Sequence, residues 1–181
     1  MPTTVGENQA KRKLAAGELV LCMGVNQMRT PNIAMIATAC GFDAICIDLE
    51  HNPTSLETAA AICVAALGIG ITPIARVSSR DAHDATRILD CGAQGVMVPH
   101  VSTVAEARAV VESAAIRRTA TARLQAPGRR SVILLAQNEI NTYLNEQSLL
   151  IAMLETPEAI ETPMRSPRST ASIRCISAQA I

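Results

Sequence analysis

The stretch "DAICIDLEHNPTSLE", residues 43–57, passes from a short apolar segment into two carboxylates and a histidine, and then into a helix start. The run from Ala44 to Asp48 is too short for a buried helix and carries two β-branched isoleucines, so it reads as a strand. Thr54 and Glu57 take capping-box positions, and the Ala-rich body that follows can stop at Gly68. The unit is strand, polar end, helix. It leaves Asp48, Glu50 and His51 where the strand runs out.

The same unit recurs along the chain. "LVLCMGV" from 19, "ITPIARV" from 71, "GVMVPHV" from 95 and "LLIAMLE" from 149 are continuous apolar runs, the pattern of parallel strands covered on both faces. "RDAHDATRILDCG" and "TVAEARAVVESAA" supply helical patterns between them. Strand then helix, at about 25 residues per unit, predicts a parallel α/β fold. An open doubly wound sheet would carry a glycine-rich phosphate loop after its first strand, and "GVNQMRTPN" has none. Polar residues instead end strand after strand: Asp48, Glu50 and His51, then Arg76, then His100, then Glu155. A barrel brings such ends to one mouth. The expected architecture is an incomplete (β/α)8 TIM barrel, parallel strands with helices outside, over residues 1–161, followed by an irregular tail over 162–181.

Composition narrows the function classes. Hydrophobic residues make up 49% and charged residues 18%, with a net charge of zero, which gives no electrostatic footprint for nucleic acid. The opening "MPTTVGENQAKRKLAAGELVLC" scatters charge and has no signal-peptide core, and no apolar run reaches the roughly 18 residues that span a bilayer. The expectation is a cytoplasmic protein without a nucleic-acid or membrane partner. Six dispersed cysteines in apolar segments read as reduced core thiols.

From "IDLEH" through Arg76, "ILDCGAQGVMVPHV" and "IAMLETPEAIE", the chain resembles the class II pyruvate-dependent aldolases of the HpcH/HpaI aldolase and citrate lyase family. The resemblance covers about residues 15–115 and 132–161. It implies a (β/α) barrel that uses a divalent metal, Mg²⁺, Mn²⁺ or Co²⁺, to cleave a small 4-hydroxy-2-oxo acid. The substrate would be of the 4-hydroxy-2-oxoheptanedioate or 2-dehydro-3-deoxyglucarate type, and the products pyruvate or a related oxo acid plus an aldehyde. His51 matches the family's catalytic histidine, which acts as base directly or through a water, and Asp90 in "LDCG" matches the carboxylate that pairs with it. Arg76 matches the arginine that stabilises the oxo group and its developing enolate charge. Glu155 in "LET" matches a metal carboxylate, and Asp48 and Glu50 become carboxylates that support these groups from behind. Met153 stands where many members place a substrate-contacting glutamine. Family members assemble as hexamers. His83 and His100 are expected to be structural, and an acyl-CoA lyase of the citrate lyase beta type ranks lower.

The chemistry requires these types of residue. Retro-aldol cleavage needs a base for the C4 hydroxyl proton, a sink for the enolate electrons and positive charge to hold the oxo acid. An imidazole titrates near neutrality, and a guanidinium offers a fixed fork of donors.

Two stretches depart from the family. Residues 116–130 carry five arginines and no acid, where a "P-x-G-x-R-S" loop is expected, and no acid follows Glu161, where a second metal carboxylate is expected. A reading-frame slip accounts for both: codons chosen for Ile116 to Pro127 can encode Ser-Pro-His-Gly-Asp-Arg-Ser in another frame. The expectation is a truncated chain, out of frame in these stretches, whose alternative role is that of a catalytically inactive fragment.

Overall fold

The computed structural model of the protein describes residues 6–111 and 143–156, together with the backbone of 172–177. The elements are α1 (Gln9–Ala15), β1 (Cys22–Val25), α2 (Ile33–Ala39), β2 (Ala44–Asp48), α3 (Leu56–Ile69), β3 (Thr72–Arg76), α4 (Ala82–Asp90), β4 (Gly95–Val98), β5 (Leu149–Leu154) and β6 (Ser172–Ser177). Residues 104–111 and 143–146 are also helical. The six strands form one sheet in sequence order, every neighbouring pair parallel. From β1 to β4 each step is a strand–helix–strand crossover through α2, α3 and α4, and the sheet is a barrel wall that, among the described residues, is not closed. The apolar runs at 19, 44, 71, 95 and 149 contain β1 to β5. The arginine-rich stretch 116–130 lies outside the described residues.

Alternation along the strands divides the core into two layers. Ile45, Ile47, Ala75, Val77, Val96, Val98, Leu150, Ala152 and Leu154 pack with Ala37, Ala59, Ile62, Ala66, Ala85 and Ile88 from the helices. Ala44, Ile74, Leu149 and Ile151, with Cys46 and Met97 partly covered, form the inner layer with Ala10 of α1. Because side chains alternate, Asp48 and Arg76, two residues beyond Cys46 and Ile74, also point inwards. The register pairs Asp48 with Arg76 directly.

The inner layer is tight at Gly95, which pairs with Ile74 across β3 and β4. A Cβ placed there would meet Ile74 Cγ1 at 2.9 Å, closer than real contacts. Gly95→Ala is expected to cost about 1–3 kcal/mol by overpacking. Adding Ile74→Val should return part of that loss in urea denaturation, and additive costs in the double variant would contradict the clash.

Three details differ from the sequence reading. Helix α3 is capped by Ser55, whose Oγ accepts the Thr58 N–H at 3.1 Å, and not by Thr54. It runs through Gly68 to a left-handed Gly70, φ 88°, because a glycine is tolerated inside a helix while the reversal needs φ > 0. The tail expected to be irregular contains β6, whose backbone pairs with β5 from Leu149↔Ser172 to Leu154↔Ser177. "SIRCIS" has two β-branched isoleucines and no proline, enough to satisfy the backbone groups along β5.

The N-terminal segment, read above only for targeting signals, builds a plug. Asn8 caps α1 by accepting the Lys11 N–H, and its Nδ2 donates to the carbonyls of Gln94 and Gln147 at 3.0 and 2.8 Å. The Ala10 N–H donates to Thr72 Oγ1 at 3.0 Å, and Lys13 Nζ lies 2.7 Å from Asp43 Oδ1. Asp43, Thr72, Gln94 and Gln147 all stand at strand starts. Helix α1 therefore seals the N-terminal end of the sheet and leaves the opposite end as the mouth.

Candidate active site

At the mouth, two buried carboxylates face one guanidinium. Arg76 donates from Nε to Asp48 Oδ1 and from Nη2 to Asp48 Oδ2, both at 2.8 Å, a two-pronged pair. Arg76 Nη1 lies 3.2 Å from Glu50 Oε2. The Asp48 and Glu50 side chains are 8% and 7% exposed, so this charge cluster is largely withdrawn from water. Asp48 also accepts the main-chain N–H groups of Glu50 and His51, at 3.0 and 3.4 Å, and an Asn52 Nδ2–H at 2.5 Å. The loop carrying His51 is thus folded around the Asp48 carboxylate.

Burial would raise the Asp48 carboxyl, but the Arg76 hydrogen bonds, the two main-chain donors and the Arg76 charge hold it down at about 2. The same partnership raises the Arg76 guanidinium above its ordinary value. Both groups stay charged across any physiological pH. Burial pushes the Cys46 and Cys63 thiols up to about 12, which suits core residues rather than nucleophiles, whereas Cys22 and Cys40 are exposed.

His51 stands on the mouth loop, 67% exposed, with Nε2 3.6 Å from Glu50 Oε2. That distance is electrostatic contact rather than a hydrogen bond. Glu50 Oε2 accepts no hydrogen bond among the described residues although it is buried. Its position between Arg76 and His51 compensates the charge without satisfying the lone pairs.

Glu155 follows β5, and its Oε2 accepts the His100 N–H at 2.9 Å. The His100 ring spans the site: Nδ1 is 3.0 Å from Glu155 Oε2 and Nε2 is 3.0 Å from Glu50 Oε1. His51, Arg76 and Glu155 therefore share one end of the sheet, joined through Glu50 and His100. Sequence reading set His100 aside as structural, and the structure places it inside the constellation. The available signal was its position after β4, equivalent to that of His51 after β2. Met153 is buried on β5, two residues before Glu155 on the inward alternation.

Asp90 is not part of this cluster. It is the last residue of α4, exposed, and the turn after it leads through Gly92, φ 103°, into the start of β4. A helix antiparallel to its strands ends at the strand starts, so Asp90 lies at the end sealed by α1. Within one chain it does not pair with His51.

The donor set does not match the divalent cation that the resemblance implies. Such ions take about six oxygen ligands. Among the described residues no group of three His, Cys, Asp or Glu side chains can hold one. Asp48 and Glu50 are committed to Arg76, and one oxygen of Glu155 is held by His100. The described residues do not by themselves fit a resident metal. No described helix is long and apolar enough to cross a membrane.

Comparison with known proteins adds ancestry to this geometry. The family model described as HpcH/HpaI aldolase/citrate lyase matches residues 25–165. A 4-hydroxy-4-methyl-2-oxoglutarate aldolase of Chaetomium globosum is 41% identical over 107 residues, 59% of this chain and 40% of that protein. A second aldolase of that name, from Hapsidospora irregularis, is 38% identical over 127 residues, 70% of this chain and 44% of that protein. The crystal structure of an HpcH/HpaI aldolase from Desulfitobacterium hafniense superposes with a TM-score of 0.69 at 25% identity, over 83% of this chain and 58% of that one. The chain thus spans less than half the length of the two curated aldolases.

Proposed function

This chain belongs to the HpcH/HpaI aldolase/citrate lyase family, and from that premise we propose that its mouth is the site of a 4-hydroxy-2-oxo acid aldolase, acting on substrates of the 4-hydroxy-4-methyl-2-oxoglutarate class. The observation that carries the reading is the grouping of an exposed imidazole, a partly buried guanidinium and their shared carboxylates at the C-terminal ends of β2 and β3.

In the proposed reaction His51 takes the proton of the C4 hydroxyl. With Nε2 turned to Glu50, Nδ1 is the nitrogen that faces away and accepts it. As the C3–C4 bond breaks, its electrons move into the C2–C3 enolate, and the N–H groups of Arg76 not used by Asp48 hold the enolate oxygen and the neighbouring carboxylate. Asp48 fixes the plane of the guanidinium, so the fork is aimed before substrate arrives. The C4 fragment leaves as a carbonyl compound, and return of the proton from His51 to C3 completes pyruvate and restores the base. Met153 forms part of the wall against which the oxo acid rests, and Glu155 supplies negative charge on the far side.

A second reading, a chain that binds oxo acids without turning them over, is favoured by the lack of a three-ligand metal group among the described residues. Pyruvate release from 4-hydroxy-4-methyl-2-oxoglutarate, coupled to lactate dehydrogenase with and without added Mn²⁺, separates the two. The expected result is pyruvate release by the chain. No pyruvate under either condition would favour the inactive reading.

A further inference from the structure

We propose that His100 is a positioning residue of this site, an imidazole clamp that ties Glu50 to Glu155 and so fixes the direction in which Glu155 presents its free oxygen. The clamp itself rests on geometry, and its consequence for turnover rests on the aldolase reading.

Four observations converge. Both ring nitrogens lie 3.0 Å from carboxylate oxygens, and those carboxylates follow different strands, β2 and β5. The main-chain N–H of His100 donates to the same Glu155 Oε2 at 2.9 Å, so that oxygen is held from two directions. The ring is 63% exposed, so burial of apolar surface does not explain its placement. Finally, His100 is the one non-glycine residue with positive φ among the described residues, at 57°. That conformation is disfavoured for a residue with a Cβ and persists where the surroundings demand it. A plain turn would be better served by glycine or asparagine. Without the ring, Glu50 Oε1 would lose the partner it has among the described residues, and Glu155 would keep only the main-chain N–H of residue 100.

The clamp can be read without activity. The chain has three histidines, so a ¹⁵N-histidine spectrum is assignable from His51→Ala and His83→Ala. Glu155→Gln should move the Nδ1 resonance of His100 and leave Nε2, while Glu50→Gln should move Nε2 and leave Nδ1. Ring resonances indifferent to both substitutions would overturn the proposal. In turnover, His100→Asn and His100→Gly, both tolerant of the left-handed backbone, should each lower kcat by up to about 10²-fold, the cost of a misplaced group at a reacting site. A glycine variant with wild-type kcat would show that His100 answers only to the turn and would also overturn the clamp. Absence of turnover in the unaltered chain would count against the aldolase reading, while the nitrogen resonances would still decide the clamp.

Discussion

Arg76→Ala should cost about 3–5 kcal/mol of folding stability, because it strands two buried carboxylates at once. Asp48 would lose both prongs of its partner, and Glu50, whose Oε2 already accepts no hydrogen bond among the described residues, would lose the charge beside it. Arg76→Lys should recover only part of the loss, since one ammonium cannot serve both oxygens of Asp48 in the plane of the carboxylate. Urea denaturation followed by circular dichroism measures both variants. Alanine tolerated within about 1 kcal/mol would mean that the cluster is solvated and that the pair contributes like an ordinary surface ion pair.

The same pair sets the acid limit of the fold. Asp48 titrates at about 2 in the folded chain and near 3.9 in an unfolded one. Its folded value is the lower, so the unfolded state binds the proton first. The stability it contributes, about 2–3 kcal/mol, is fully present above pH 5 and is lost as pH falls through 3.9 towards 2. In Arg76→Ala that acid-side loss should shrink, so the difference between variant and parent narrows between pH 6 and pH 2.5. A constant difference across that range would contradict the assignment.

His51→Ala should act in the opposite manner, leaving the fold intact and removing the chemistry. The ring is mostly exposed, and its main-chain N–H to Asp48 survives the substitution, so stability should change by no more than about 0.5 kcal/mol. Pyruvate formation should fall by about 10²–10⁴, the usual contribution of a positioned general base. Activity within threefold of the parent would remove His51 from the mechanism and return it to the surface of the loop.

Much of the constellation at the mouth was legible because parallel strands of a barrel end together on one side. Asp48, Glu50, His51, Arg76 and Glu155 could be found by asking which apolar runs stop on a charge, and the runs themselves were legible because parallel strands covered on both faces lose the polar alternation that makes other strands ambiguous. Asp90 stands apart from that constellation for a local reason. "LDCG" is a helix end followed by a left-handed glycine, which marks the strand-start side of the wall, and the glycine carried that information. His100 ends a strand run in the same way, but its left-handed backbone and its two carboxylate neighbours leave no trace in the order of residues. The plug was missed because Asn8 satisfies partners near residues 94 and 147, and no local pattern reports a contact that distant.

That last contact has a temporal consequence. Asn8 N donates to Gln147 Oε1 across a sequence separation of 139 residues. The units β1 to β4 can dock one after another as they leave the ribosome, but the seal at their base waits for residues 147 and 148. Closing so long a loop is an entropic step that slows folding. Until it is taken, the inner layer lacks part of its cover at the strand starts, and a nascent chain of about 140 residues leaves apolar surface unpaired there.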